Sequence, residues 1–241
     1  MNSAEEEKFA YCGEFIRRRD EDRWIAAHYA PPAERYRLYA LYALHLEIER
    51  IPALVSEPQL GEIRLQWWRE AIEETATGKS PRAHPAIEAA HAGEILDAPT
   101  CEAFGTAIDA RARLLYGEPF TNCDELTEFL LRAEAFLAVR AARRLAPSIS
   151  EDQERALERA GLANALARRG LVLAPALWNE IRDRVEKLHR EAAPLLRTLS
   201  PRAMPAAAHF ALTRRYLFSD RGPSPLVKRL GIFAAVASGR V

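Results

Sequence analysis

The sequence predicts an all-α protein, and three observations lead to that prediction. Alanine, leucine, arginine and glutamate, all strong helix formers, supply most of the 241 residues. Residues with β-branched side chains are few and scattered, and no alternating run of Val, Ile or Thr is typical of a strand. Proline and glycine fall between the periodic apolar stretches, where they mark the ends of helices.

The predicted helices follow the proline and glycine punctuation along the chain. A proline pair at Pro31-Pro32 stops the first helix and starts the second, Pro52 bends or ends the second, and Gly78 closes the third. In chain order, the expected helices are Glu5–Ala30 with a break near Asp20, Pro32–Arg50, Pro58–Glu74, Pro85–Leu96, Pro99–Tyr116, Glu125–Leu145, Ser150–Gly170, Pro175–Leu199, Arg202–Phe218 and Pro225–Ser238.

The cap of the helix that begins near Glu125 is predicted from the residues before it, with Thr121 or Asp124 accepting the free amides. The only loose stretch, Asp220 to Pro225, is too short to separate domains. We therefore expect one helical domain over residues 1–241.

Composition excludes several classes of function. The 34 basic and 34 acidic residues cancel, so the net charge provides no attraction to nucleic acid. Three widely spaced cysteines and six histidines without metal-ligand spacing predict no metal site and no disulfide framework. The polar N-terminal region is no secretory signal, and no apolar run reaches the length of about 18 residues that a membrane span needs. We expect a cytoplasmic bacterial protein with no cofactor, in contact at most with the inner face of the membrane.

Two consecutive segments carry the most specific pattern in the chain. The first contains Leu41-Tyr42-Ala43, and the second reads Val-Ser-Glu-Pro-Gln-Leu-Gly-Glu-Ile-Arg-Leu-Gln-Trp-Trp-Arg over 55–69. This pattern resembles the squalene/phytoene synthase family, helical prenyltransferases that condense two prenyl diphosphates. The resemblance runs from about residue 15 to 241 and leaves 1–14 as a segment of looser order. It implies an isoprenoid-synthase-like helical bundle around a central cavity.

The family binds Mg²⁺ through two aspartate motifs, because departure of diphosphate requires a cation to neutralise the leaving oxygens. In the first motif, the resemblance places Glu49 and Ala53 at the two aspartate positions, so one carboxylate remains. Glu47 lies two residues earlier, about 200° around the helix from Glu49, and cannot complete the pair. We therefore expect no metal at the first motif.

The second motif follows Gly161 and Asn164, and the resemblance places Arg168 and Arg169 where acidic residues are expected. An arginine at such a position repels Mg²⁺. The resemblance thus implies a non-catalytic protein, with Glu49 as a remnant of the first motif. The alternative is an active prenyltransferase that holds diphosphate directly through Arg35, Arg168 and Arg169, with Mg²⁺ as cofactor only in that case.

Other residues have both a structural and a functional interpretation. The tyrosines of the 36–42 repeat and the tryptophan pair at 67–68 pack in the core or line a groove. Candidates for lining an isoprenoid or lipid cavity are Tyr39, Tyr42, His45, Trp68 and Asn164. The 55–69 segment resembles most the subgroup related to the mitochondrial assembly factor for respiratory complex I. That resemblance implies a binding or assembly role with a protein partner in the assembly of a respiratory complex.

Overall fold

The computed structural model describes residues 3–218 and 222–241, and within these ranges every regular element is helical. The prediction of an all-α protein is confirmed. The elements are α1 (Ser3–Arg19), α2 (Glu21–Ala27), α3 (Pro32–Glu49), α4 (Ile51–Leu54), α5 (Pro58–Ala76), α6 (Pro85–Ala92), α7 (Ala98–Leu115), α8 (Cys123–Leu130), a π-helical turn (Leu131–Ala135), α9 (Phe136–Leu145), α10 (Glu151–Leu173), a 3-10 turn (Pro175–Leu177), α11 (Trp178–Leu196), α12 (Met204–Ala207), a 3-10 turn (Ala208–Leu212), α13 (Thr213–Tyr216) and α14 (Pro225–Ser238).

Most predicted helix starts agree with the structure because proline and side-chain caps act locally. The break near Asp20 separates α1 from α2, and α14 has the predicted bounds. Ser150 and Gln153 form a reciprocal capping box at the start of α10. The helix predicted to end at Leu96 ends at Ala92, since Gly93 caps it.

Three predictions for the second half of the chain need correction. The cap before α8 is Asn122, whose side chain accepts a hydrogen bond from the amide of Glu125, and is neither Thr121 nor Asp124. The helix expected over 125–145 contains the π-helical turn, and the one expected over 202–218 is divided into α12, a 3-10 turn and α13. These interruptions depend on tertiary packing, which local sequence patterns do not record.

The contacts of the chain group into two compact units. Unit 1 comprises Met1–Trp24 and Pro31–Glu118. In it, α1 packs against α3 and α6, and α5 packs against α7. Phe9 and Cys12 of α1 are buried in this unit.

Glycine allows close helix contacts in unit 1. A Cβ atom at Gly61 of α5 would lie 2.2 Å from Cδ2 of Leu115 on α7, far inside contact distance. At Gly13 of α1 a Cβ would lie 3.1 Å from the ring of Tyr39 on α3. The small residues therefore set how closely α7 and α3 approach their neighbours.

Unit 2 comprises Ile25–Ala30 and Pro119–Val241. Its central helix is α10, which contacts α8, α9, α11, α13 and the π-helical turn. Gly161 brings α10 against the backbone of that turn, because a Cβ there would lie 3.1 Å from the carbonyl oxygen of Ala135. The last helix, α14, packs on the 3-10 turn Ala208–Leu212 and on α12.

Candidate functional site

The first motif lies at the C-terminal end of α3 in unit 1. This helix ends at Glu49, Arg50 is its C-cap, and Pro52 occupies one of the first two positions of the short α4. Glu49 and Ala53 therefore belong to two different helices. The continuous helical face that would place two motif side chains side by side is interrupted between them.

His45 connects the motif to a buried arginine on α7. Nη2 of Arg111 lies 2.7 Å from Nε2 of His45, and both side chains are buried. Because a guanidinium can only donate, Nε2 must accept, and the imidazole proton resides on Nδ1. Nδ1 faces Oε2 of Glu49 at 3.7 Å. Arg111 also donates to the carbonyl oxygen of Ala107. The remnant Glu49 thus faces a histidine that is itself oriented by Arg111.

Glu47, the other acidic residue of this segment, is buried and has protein partners. Its carboxylate accepts a hydrogen bond from the hydroxyl of Tyr11 at 2.8 Å and lies 2.9 Å from Nε of Arg50. Burial, and then the hydrogen bond to Glu47 and the negative charge of that residue, raise the pKa of Tyr11 to about 12. The charge of Glu47 is therefore balanced within unit 1 by Arg50.

The aromatic candidates of unit 1 are buried among named neighbours. Tyr42 lies beneath the guanidinium of Arg23, 5.7 Å from its ring centroid, and Arg23 pairs with Asp20 at 2.7 Å. Burial raises the pKa of Tyr42. The rings of Trp68 and His84 meet edge to face with centroids 4.7 Å apart. These contacts belong to a packed helical core.

Tyr39 and Arg35 lie one turn apart on α3. Tyr39 is buried and Arg35 is partly exposed. Burial raises the pKa of Tyr39 to about 12, while the positive charge of Arg35 opposes that shift. A cation in the first turn of α3 thus lies one turn before a buried phenol.

The second motif lies on α10 in unit 2, and its polar side chains have partners in the same unit. The amide of Asn164 donates to the hydroxyl of Thr213 at 3.1 Å, with both residues buried. Nη1 of Arg169 lies 3.4 Å from Oε1 of Glu134, a buried residue of the π-helical turn. The guanidinium carbon of Arg168 lies 5.6 Å from the centroid of the Tyr216 ring. The positions of the missing acids are occupied by cations with acidic or aromatic neighbours.

Sequence reasoning did not assign roles to Arg111, Tyr11, Glu134 or Tyr216. A signal existed for Arg111, because Phe104, Ile108 and Arg111 share one face of α7 by their spacing of four and three residues. Phe104 and Ile108 are apolar and buried, so the spacing alone puts Arg111 on the helix face that packs in the core. The other partners come from distant segments, and no local pattern indicates them.

The residues present do not fit the Mg²⁺ cluster that the family implies. Magnesium needs several oxygen ligands in near-octahedral geometry, usually including carboxylates. Within 3–218 and 222–241, no group of three or more His, Cys, Asp or Glu side chains is arranged to hold a metal. The acids next to the two motifs instead face Arg50, His45 and Arg169.

Comparison with known proteins identifies the family of this chain. The squalene/phytoene synthase family profile matches residues 16–169, which is more than half of the chain. The chain therefore belongs to the squalene/phytoene synthase family, and the resemblance seen in the sequence is confirmed.

Curated relatives include human and bovine NADH dehydrogenase (ubiquinone) complex I, assembly factor 6. Each is 31% identical over 78 residues, which is 32% of this chain and 23% of the relative. The match thus spans about a quarter of the length of these relatives.

Two solved structures share the fold across nearly the whole chain. A dehydrosqualene synthase in complex with ligand has a TM-score of 0.76 and 15% identity, covering 98% of this chain and 97% of that one. The squalene synthase HpnC from Alicyclobacillus acidocaldarius has a TM-score of 0.71 and 14% identity, with coverages of 96% and 97%. These similarities show that the chain has the all-α isoprenoid-synthase fold.

Proposed function

We propose that this chain is a non-catalytic member of the squalene/phytoene synthase family that acts as a binding or assembly factor. One observation supports the proposal: the acids that lie next to the two motifs pair with arginines of the protein itself, and the motif remnant Glu49 faces His45. Glu47 forms an ion pair with Arg50, and Glu134 forms one with Arg169. A second Mg²⁺-binding acid is absent at Ala53. Among the described residues, the two motifs therefore offer too few carboxylate oxygens to gather Mg²⁺ around a diphosphate.

The catalytic part of the proposal is tested with the purified protein, farnesyl or geranylgeranyl diphosphate, and Mg²⁺. We expect no squalene and no phytoene above the level of a protein-free reaction, measured by mass spectrometry of the extracted products. A squalene synthase assayed in parallel verifies the substrates. Formation of either product at an enzymatic rate would overturn the proposal.

The assembly role is supported by the similarity to complex I assembly factor 6 over 78 residues. We propose respiratory complex I as the partner, with the protein at the cytoplasmic face of the membrane and no resident cofactor. In the source organism, deletion of the gene is expected to lower the amount of assembled complex I on native gels. Re-expression of the wild-type chain restores it. Unchanged complex I in the deletion strain would contradict the assembly role while leaving the catalytic test unaffected.

An isoprenoid or lipid ligand is a further part of this proposal, supported by the isoprenoid-synthase fold and by the aromatic residues Tyr39, Tyr42 and Trp68. Binding of farnesol is measured by quenching of tryptophan fluorescence. We expect saturable quenching that weakens in Tyr39→Ala. A signal that rises linearly with farnesol and is equal in both proteins would argue for a scaffold without a ligand.

The alternative is an active transferase that holds diphosphate through arginine. The adjacent Arg168 and Arg169 on α10 favour it, because guanidinium groups bind phosphate oxygens through paired hydrogen bonds. It predicts saturable binding of pyrophosphate that EDTA does not affect and that Arg169→Ala abolishes. Absence of such binding in a titration calorimeter would remove this alternative.

A further inference from the structure

The last helix of unit 2 carries an apolar face that is turned away from the protein. Leu226, Leu230 and Phe233 are 67%, 58% and 57% exposed. Their spacing of four and three residues places them within about 60° of one another on the helix surface. We call these three residues the α14 stripe. Single exposed apolar residues are ordinary, but an aligned series on one helix marks an interaction surface.

The opposite face of α14 anchors the helix to unit 2. Ile232 and Ala235 are buried, and Gly231 allows close contact with Leu212, because a Cβ there would lie 2.9 Å from its Cδ2. At about 100° per residue, Gly231 and Ala235 lie about 160° around the helix from Phe233, and Ile232 lies about 100° from it. The packing that holds α14 in place therefore presents the stripe outward.

The charges around the stripe have one sign. From Gly222 to Val241 the sequence contains Lys228, Arg229 and Arg240 and no acidic residue, although the whole chain has a net charge of zero. Arg229 and Arg240 are exposed. Arg229 lies about 40° from Phe233 on the helical wheel, and Arg240 follows the end of the helix, which Gly239 caps. An apolar face with a cation at its edge and another at the helix end is typical of a helix that lies in the interface of an anionic bilayer.

We propose that α14 docks the protein on a membrane surface that bears anionic lipid headgroups. The stripe enters the boundary between headgroups and acyl chains, and Arg229 and Arg240 contact phosphate groups. Among the described residues no helix is long and apolar enough to cross a bilayer, and the proposed contact requires only insertion at the surface. The inference does not depend on the proposed assembly function.

Vesicle flotation tests the proposal with the full-length protein. We expect binding to phosphatidylcholine vesicles that contain phosphatidylglycerol, little binding to phosphatidylcholine alone, and weakening by salt. The triple variant Leu226→Ser/Leu230→Ser/Phe233→Ser should lower the partition coefficient by about tenfold or more. Arg229→Gln and Arg240→Gln should each lower the partition coefficient about fivefold. These single variants keep the proposal testable if the triple variant fails to fold.

A matched control comes from unit 1. Leu54, Leu60 and Ile63 are 51%, 47% and 64% exposed, so their triple serine variant removes a similar amount of exposed apolar surface. This control variant should bind the vesicles with the same partition coefficient as the wild type. Three results would overturn the proposal: no flotation of the wild type, equal losses in the two triple variants, or a wild-type dimer in light scattering that the α14 variant dissociates.

Discussion

Arg111 donates from Nη2 to Nε2 of His45 across 2.7 Å, joining α7 to α3 within unit 1. The arginine is one of the largest side chains that are fully buried among the described residues. A buried guanidinium is retained in a core when its donors find acceptors. Here the acceptors are an imidazole nitrogen and a helix carbonyl, so the contact orients His45 towards Glu49.

Replacing this arginine measures how much the contact stabilises unit 1. Arg111→Met keeps most of the side-chain length but leaves Nε2 of His45 without its donor. We expect the free energy of unfolding to fall by about 1–3 kcal/mol, the cost of an unsatisfied buried polar group. Urea unfolding at neutral pH gives the value. Arg64→Met, at an exposed position of α5, is the control and should change it by less than about 0.5 kcal/mol. Equal losses would show that the buried contact stabilises nothing.

The pairing of Arg169 with Glu134 predicts energetic coupling between the second motif and the π-helical turn. Arg169→Gln should destabilise the protein by about 1–3 kcal/mol, because a buried carboxylate loses a charged partner. Adding Glu134→Gln should recover part of that loss. A double-mutant cycle by denaturant unfolding then yields a coupling of about 0.5–3 kcal/mol. The exposed pair Glu14 and Arg18 is the comparison and should show no measurable coupling. Additive effects at 134 and 169 would contradict the pairing.

Close packing at Gly61 predicts a steric penalty. In Gly61→Ala the new Cβ meets Cδ2 of Leu115, so the side chain or α7 must move. We expect destabilisation of about 1–3 kcal/mol from overpacking. Leu115→Ala in the same chain should relieve it in part. Gly105→Ala is the control on α7, since its Cβ would meet only the end of the long Arg69 side chain, at 3.2 Å, and no backbone. Thermal unfolding midpoints that fall equally for both alanine variants would refute this account.

Stability should decline in alkali because buried acids of unit 1 hold their protons. Burial raises the pKa of the Cys12 thiol to about 12, from an ordinary value near 9. The folded state therefore binds more protons than the unfolded state between these values, and stability present below pH 9 is lost as pH rises towards 12. Tyr11 and Tyr39, with pKa values of about 12, contribute in the same direction.

The alkaline decline can be assigned with Cys12→Ala. Above pH 9 the wild-type free energy of unfolding should fall more steeply than that of the variant, by about 1.4 kcal/mol per pH unit. Denaturant unfolding at a series of pH values measures both slopes. Parallel curves for the two proteins would show that Cys12 does not remain protonated in the fold.

Much of the fold could be predicted because its signals are local. Pro225 starts α14, Ser150 caps α10, and the proline pair before α3 separates it from the preceding helix. These effects need only the neighbouring residues, so the sequence is sufficient to locate them. The family resemblance added the isoprenoid-synthase fold, which helix periodicity alone does not specify.

The site was less accessible to sequence reasoning. The positions of Glu49, Asn164, Arg168 and Arg169 followed from motif alignment, but their partners did not. Arg111 is 66 residues from His45, and Thr213 is 49 residues from Asn164. Such pairs form only when tertiary packing brings distant helices together.

The π-helical turn Leu131–Ala135 limits how the length of this region can vary. A π turn accommodates one residue more than the same stretch of α-helix. Deleting a single residue there would let α8 and α9 merge into one regular helix while α9 keeps its buried face, because the wider turn absorbs the extra residue. The same deletion within the regular helix α9 would instead rotate the residues that follow it by about 100°, and Leu145 would leave the interior. The turn is thus the place at which this region can lose one residue and keep its packing.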